Sequence, residues 1–133
     1  MKFMCLFALA ALVLAATAHP SIGQGTYNKS AFENAMDDAM KNLRVLMGSL
    51  IAEDWTKAEA SAKALAGGAK TIRGLTPKAS ADRIGEFQAR ADSLAAQSAR
   101  VAAAAKAHAP GDAGQGLGQI VQSCMGCHSV FRK

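Results

Sequence analysis

The residues best suited to chemistry are Cys124 and Cys127, two thiols three positions apart, with His128 directly after them in the run Cys124-Met125-Gly126-Cys127-His128. Each thiol can add to one vinyl group of a porphyrin, making two thioethers, and the adjacent imidazole then projects beneath the ring as the proximal iron ligand. C-x-x-C-H is accordingly the attachment pattern of a covalent haem. Three other chemistries compete for these residues. A structural zinc site needs four protein ligands, and besides Cys124, Cys127 and three His the exported chain offers no second paired cluster. A thioredoxin-like redox pair calls for a strand before a helix, and no strand pattern precedes Cys124. A plain disulfide across the motif leaves His128 without a role. One covalent haem is the reading favoured.

A helix must carry the motif. From about Asp112, apolar or motif residues recur at Leu117, Ile120, Cys124, His128 and Phe131, the spacing of one helical face. Three more stripes of this kind precede it. Phe32, Met36, Ala39, Leu43, Leu46 and Leu50 alternate by fours and threes, with Met40 and Met47 widening the stripe, Ser30 as N-cap and Glu33 placed for a capping box. Asp54 can cap a second helix whose stripe runs Trp55, Ala58, Ala62, Leu65, Ala69 and Ile72. Gly67-Gly68 weakens it by ~1 kcal/mol per Gly relative to Ala, and Gly74 and Pro77 end it. The third, from about Ser80, carries Ile84, Phe87, Ala91, Leu94, Ser98, Val101 and Ala105, and Pro110-Gly111 closes it. The spacing thus predicts helices over about 30–52, 55–73, 80–108 and 112–132. Short connections make consecutive helices antiparallel neighbours. The expected fold is all-α, an up-down-up-down four-helix bundle.

Composition agrees and adds a difficulty. Ala accounts for 30 of 133 residues and aromatics for only seven, two of them Phe within the first seven positions. Ala loses no side-chain entropy in a helix, and the scarcity of β-branched runs argues against a sheet. So much Ala leaves little bulk for a core. A covalent porphyrin would supply the missing apolar body.

The N-terminus reads as an address. Lys2 precedes an apolar run from Phe3 to Ala16, and Ala16-Thr17-Ala18 is a small-x-small cleavage signature. That pattern marks a secretory signal peptide over 1–18, cut after Ala18. The run is shorter than the ~20 residues of a spanning helix, so no membrane span is expected after cleavage. Cys5 leaves with the signal, and the domain over 19–133 keeps fourteen Lys and Arg against ten Asp and Glu. No dense basic block with interleaved aromatics suggests nucleic acid. A mildly basic carrier should prefer protein partners with acidic docking surfaces.

The segment Ile120-x-x-x-Cys124-x-x-Cys127-His128-x-x-Phe131-Arg132, at the end of an exported helical domain, resembles the class II c-type cytochromes, the cytochrome c-prime family. The resemblance implies a four-helix bundle with one covalent haem at one end and His128 as proximal ligand. In an antiparallel bundle the end of the fourth helix lies beside the start of the first, which brings Met36 opposite His128. Met40 is one turn away and is read as packing, and Met47 lies ~16 Å along the axis from Met36. His108 falls at the opposite end. His19 would have to fold back on a flexible lead, at considerable cost in chain entropy. Low-spin, electron-transferring relatives carry a Met ligand on the first helix, and Met36 matches it. Gas-binding members are often five-coordinate there, commonly with an Arg where this chain has Phe32, and some carry the Met without ligation.

Phe32, Ile84, Phe87 and Phe131 are expected to wall the haem pocket. Arg132 and Lys133 have two readings, as partners of the haem propionates or as cations at a helix C-terminus favoured by its dipole. The expected function is a periplasmic electron carrier, not an enzyme, with His128/Met36 iron ligation. The alternative is a five-coordinate haem protein binding NO or CO, with Met36 only a distal wall. Related proteins often pair as homodimers through their first two helices.

Overall fold

A computed structural model describes residues 25–132; the expected signal peptide, His19 and Lys133 lie outside them. The described chain forms four α-helices: α1 (Lys29–Ile51), α2 (Trp55–Arg73), α3 (Ile84–Lys106) and α4 (Pro110–Phe131). A single 3-10 turn, Ala81–Arg83, precedes α3, and no strand occurs among the described residues. None of these helices is long and apolar enough to cross a membrane.

The helix ends refine the sequence reading in three places. Asn28, not Ser30, caps α1: its side-chain oxygen accepts from the Ala31 N–H at 3.0 Å, while the Ser30 hydroxyl donates to that same oxygen at 3.1 Å. Asn at the N-cap satisfies an orphan amide as well as Ser does, and two residues of slip decide which of them serves. Asp54 caps α2 as expected, accepting from the Lys57 N–H at 3.1 Å. Pro110 opens α4 and does not close α3; the proline ring suits a first helical turn, where the missing N–H has no partner to lose. The start of α3 is delayed from Ser80 to Ile84, because Ser80 is left-handed at φ 55° and the 3-10 turn intervenes. Glu53 and His108 are also left-handed, at φ 55° and 52°. Each follows a helix end and lets the next N–H, of Asp54 or Ala109, reach back to the Ser49 or Ala104 carbonyl, closing a Schellman motif without glycine.

Side chains from alternate helix ends prove the directions. Ala35 near the start of α1, Ile72 at the end of α2, Phe87 at the start of α3 and Phe131 at the end of α4 form one buried cluster. At the other end Trp55, first in α2, stacks on His108 just beyond α3, ring centroids 5.6 Å apart and planes 16° from parallel. Successive helices therefore run in opposite directions, and each packs on the next. Between the two ends lies the main core, where Leu43, Leu46, Leu65, Leu94, Val101 and Ile120 interlock with buried alanines of α2 and α3. The Ala-rich stripes let α2 and α3 approach closely. Ser98, fully buried among them, turns its hydroxyl back to the Leu94 carbonyl at 2.8 Å, so that hydroxyl is not left unpaired.

The approach of α4 to α3 has one tight point. A Cβ at Gly116 would stand 2.6 Å from the Val101 Cγ2 atom, closer than any carbon pair tolerates, so a side chain at 116 would push the helices apart. By contrast α1 and α4 meet at few points. Met40 and Met47 do not widen the buried stripe of α1; they are 42% and 41% exposed. The reason is that seam: with little of α4 laid against it, that side of α1 stays open to solvent.

Candidate functional site

The Cys124–His128 segment sits in the last three turns of α4, which runs unbroken to Phe131. Its two thiols straddle a boundary. Cys124 packs against the main core and Cys127 against the end cluster of Ala35, Ile72, Phe87, Ala91 and Phe131. Both are free and half-buried. Burial raises both thiols above their ordinary pKa, and for Cys127 the Arg90 guanidinium opposes the rise while Cys124 and Glu86 add to it.

His128 is also half-buried, and desolvation, helped by the cation of Arg132, depresses its pKa. The imidazole is thereby biased to its neutral form, which has the lone pair a metal needs. Cys124, Cys127 and His128 do not converge on a single point: among the described residues no three His, Cys, Asp or Glu side chains gather as ligands of one ion would. Thiols spread along a helix suit a ligand several ångströms wide better than a bare cation.

Leu117, Val121, Cys124 and His128 follow at steps of four, three and four and so share one side of α4. Its other side is committed to α3, through Gly116 against Val101 and Gly126 against Arg90. On α1, Met36, Met40 and Met47 likewise share one side. α1 and α4 themselves meet at few points. Exposed apolar atoms on these two sides (Met40, Met47 and Val121, the last 37% exposed) are what an apolar guest would cover.

The residues expected to wall this end do come together. Phe32, Met36, Ile84, Cys127 and Val130 all pack against the same end cluster. The rings form a chain: Phe32 lies 5.9 Å from Phe87, and Phe87 meets Phe131 edge-on at 5.3 Å. Phe87 is fully enclosed and Phe131 nearly so, so these two are core of the bundle end, while half-buried Phe32 and Ile84 reach toward its surface. Arg132 stands exposed just past α4.

No protein-family model, curated protein or solved structure matches this chain. The site is therefore characterised by its own geometry.

Three residues at this end escape a reading by hydrophobic stripes. Tyr27, before α1, sets its ring 6.0 Å from that of Phe32. Glu86 and Arg90 of α3 make a fork, Arg90 Nε and Nη2 donating to Glu86 Oε1 at 3.0 and 2.6 Å, and Arg83 also donates to Glu86. Burial raises and both arginines lower the Glu86 pKa; the Arg90 hydrogen bond dominates and the carboxyl sits below its usual range. The four-residue spacing of Glu86 and Arg90 is a visible helix-pair signal, but the proximity of Arg90 to Gly126 is tertiary. At the far end of the bundle a hollow of about 200 Å³, lined by Val45, Gly48, Ser49, Ala52, Asp54 and Lys57, contains neither thiol nor imidazole.

Proposed function

We propose that the protein is an exported, cytochrome c-prime-like c-type cytochrome that carries single electrons through one haem attached to Cys124 and Cys127. The residues present fit such a group: two free thiols on one helix, an imidazole beside them biased toward its neutral form, and exposed apolar side chains on α1 and α4, which meet at few points. Bound there, a haem would supply a one-electron iron couple.

The chain's own residues do the rest. Cys124 and Cys127 tether the group at two points, so its orientation relative to α4 is set by the helix. His128 offers the proximal nitrogen. Phe87 and Phe131 back the site with a rigid aromatic wall that excludes water. Met36, half-buried on α1, would help hold the iron through its thioether sulfur, a donor that would favour the ferrous state and raise the potential.

The observation that carries this reading is that Met36 of α1 and Cys127 of α4 pack against one buried cluster. The sulfur donor and the tether occupy the same end of the molecule. Export to the periplasm, partners with acidic docking faces, an electron-carrier role without enzymatic turnover and pairing as a homodimer belong to the same proposal.

The test is to produce the chain in a host that attaches haem in its periplasm. A pyridine haemochrome assay and intact mass should show one haem, and ferric spectra should be low-spin with a weak far-red Met–iron band. A high-spin ferric spectrum with rapid CO binding after reduction would instead establish the five-coordinate, gas-binding role. Absence of covalent haem would end both readings.

A further inference from the structure

We infer that Arg90, clamped by Glu86, is the residue that tunes the reduction potential of the group attached at Cys127. The inference rests on the haem reading above.

Arg90 is not a loose surface cation. Two of its nitrogens donate to the same carboxylate oxygen, Glu86 Oε1, at 3.0 and 2.6 Å, and Arg83 donates to the other oxygen. The third guanidinium nitrogen, Nη1, lies 3.0 Å from where a Cβ at position 126 would stand. The charged head therefore rests on the bare backbone of Gly126, inside the attachment segment itself. Only one-third of the Arg90 side chain is exposed. Among the described residues, no other group beyond α4's own local turn would come within 4 Å of that Cβ.

Such a clamp has an electrostatic consequence. A ferric haem carries one more positive charge than a ferrous one. A fixed cation nearby opposes oxidation, and a fixed carboxylate favours it, each more strongly where protein displaces water. The Arg90 guanidinium stands against Gly126, the residue before Cys127, and Glu86 is hydrogen-bonded to it, so both charges are fixed beside the attachment point. They should act on the attached iron with opposite signs. Glu86 is thus a positioning residue that also partly offsets the charge it positions. An i,i+4 ion pair kept only for helix stability would have no such effect, and would contribute little.

The experiment is a spectroelectrochemical titration of the holoprotein and its R90Q, E86Q and G126A variants at low ionic strength. R90Q should lower the ferrous-to-ferric ratio at fixed potential by about threefold to tenfold, tenfold being about 59 mV for one electron. E86Q should raise it, and G126A, whose new methyl displaces the guanidinium while leaving every charge in place, should shift it in the direction of R90Q by less. All three shifts should shrink in high salt. A lower ratio for R90Q and a higher one for E86Q, with haem content and ferric spectrum unchanged, support the inference. Equal or reversed signs, or shifts below twofold for R90Q and E86Q with haem attached, overturn it. Should R90Q not retain haem, E86Q and G126A decide by the same opposition of sign. Failure of the wild-type chain to take up covalent haem removes the cytochrome reading itself and is seen before any potential is measured.

Discussion

Met36 on α1 and Cys127 on α4 pack against the same buried cluster, although almost the whole described chain separates them. Their meeting follows from antiparallel direction: an odd-numbered helix begins, and an even-numbered helix ends, at this end of the bundle. A flexible thioether set there is either a gap-filler of the core or an iron ligand, and the two roles differ in their consequences.

Met36→Ala separates them. With ligation, the ferric spectrum of the holoprotein should change from low-spin to high-spin, the far-red band should vanish, and the reduced form should gain rapid CO binding. Loss of thermal stability with an unaltered spectrum would make Met36 core alone.

Gly116 and Gly118 should respond to alanine with opposite signs. A Cβ at 116 meets Val101 Cγ2 at 2.6 Å, whereas nothing lies within 4 Å of one at 118. Gly116→Ala should therefore cost about 1–3 kcal/mol through overpacking. Gly118→Ala should gain up to about 1 kcal/mol from helix propensity. Chemical denaturation measures both, and the double variant Gly116→Ala/Val101→Ala should lose less than the sum of its parts.

Stability should depend on pH through Glu86. Its carboxyl is held below the usual range by Arg90 and Arg83, so the folded state binds that proton more weakly than the unfolded chain. The resulting stabilisation is present above the unfolded value and is lost as pH falls through the depressed folded one. Wild type should melt higher than E86Q at pH 7, and the two melting curves should merge in acid below the carboxylate range. A gap that persists at pH 2 would place the effect of E86Q elsewhere.

Replacing both Cys124 and Cys127 by Ala should weaken the fold well beyond the loss of two half-buried side chains, because the chain would lose the tether of the haem proposed to cover the exposed apolar side chains of α1 and α4. Circular dichroism melts of this variant against the haem-loaded protein test the point. A cooperative melt at the temperature of the haem-loaded protein would contradict it.

Four helices, their order, and most of their inner faces are legible in the sequence. In the stripes of α2 and α3, Ala58, Ala62, Leu65, Ala69 and Ile72, and Phe87, Ala91, Leu94, Ser98, Val101 and Ala105, are buried, while Trp55 and Ile84 at their starts are half-buried, because a helix period of 3.6 and a single core leave one face to hide. The Cys124–His128 spacing is a pattern of a different kind, since the haem attachment proposed for it requires adjacent residues at fixed spacing. What lay beyond the sequence was everything decided between helices. Met40 and Met47 share the apolar spacing of α1 yet stand exposed, because only packing determines which seam of a bundle closes. Asn28 took the cap expected of Ser30 because competing caps one or two residues apart differ little in energy. The guanidinium of Arg90 resting on Gly126 joins two helices with no common local signal. Local periodicity and covalent chemistry are properties of neighbours in the chain; which sides meet, and what charge stands beside the thiols, depends on helix approach and was settled only by the folded structure.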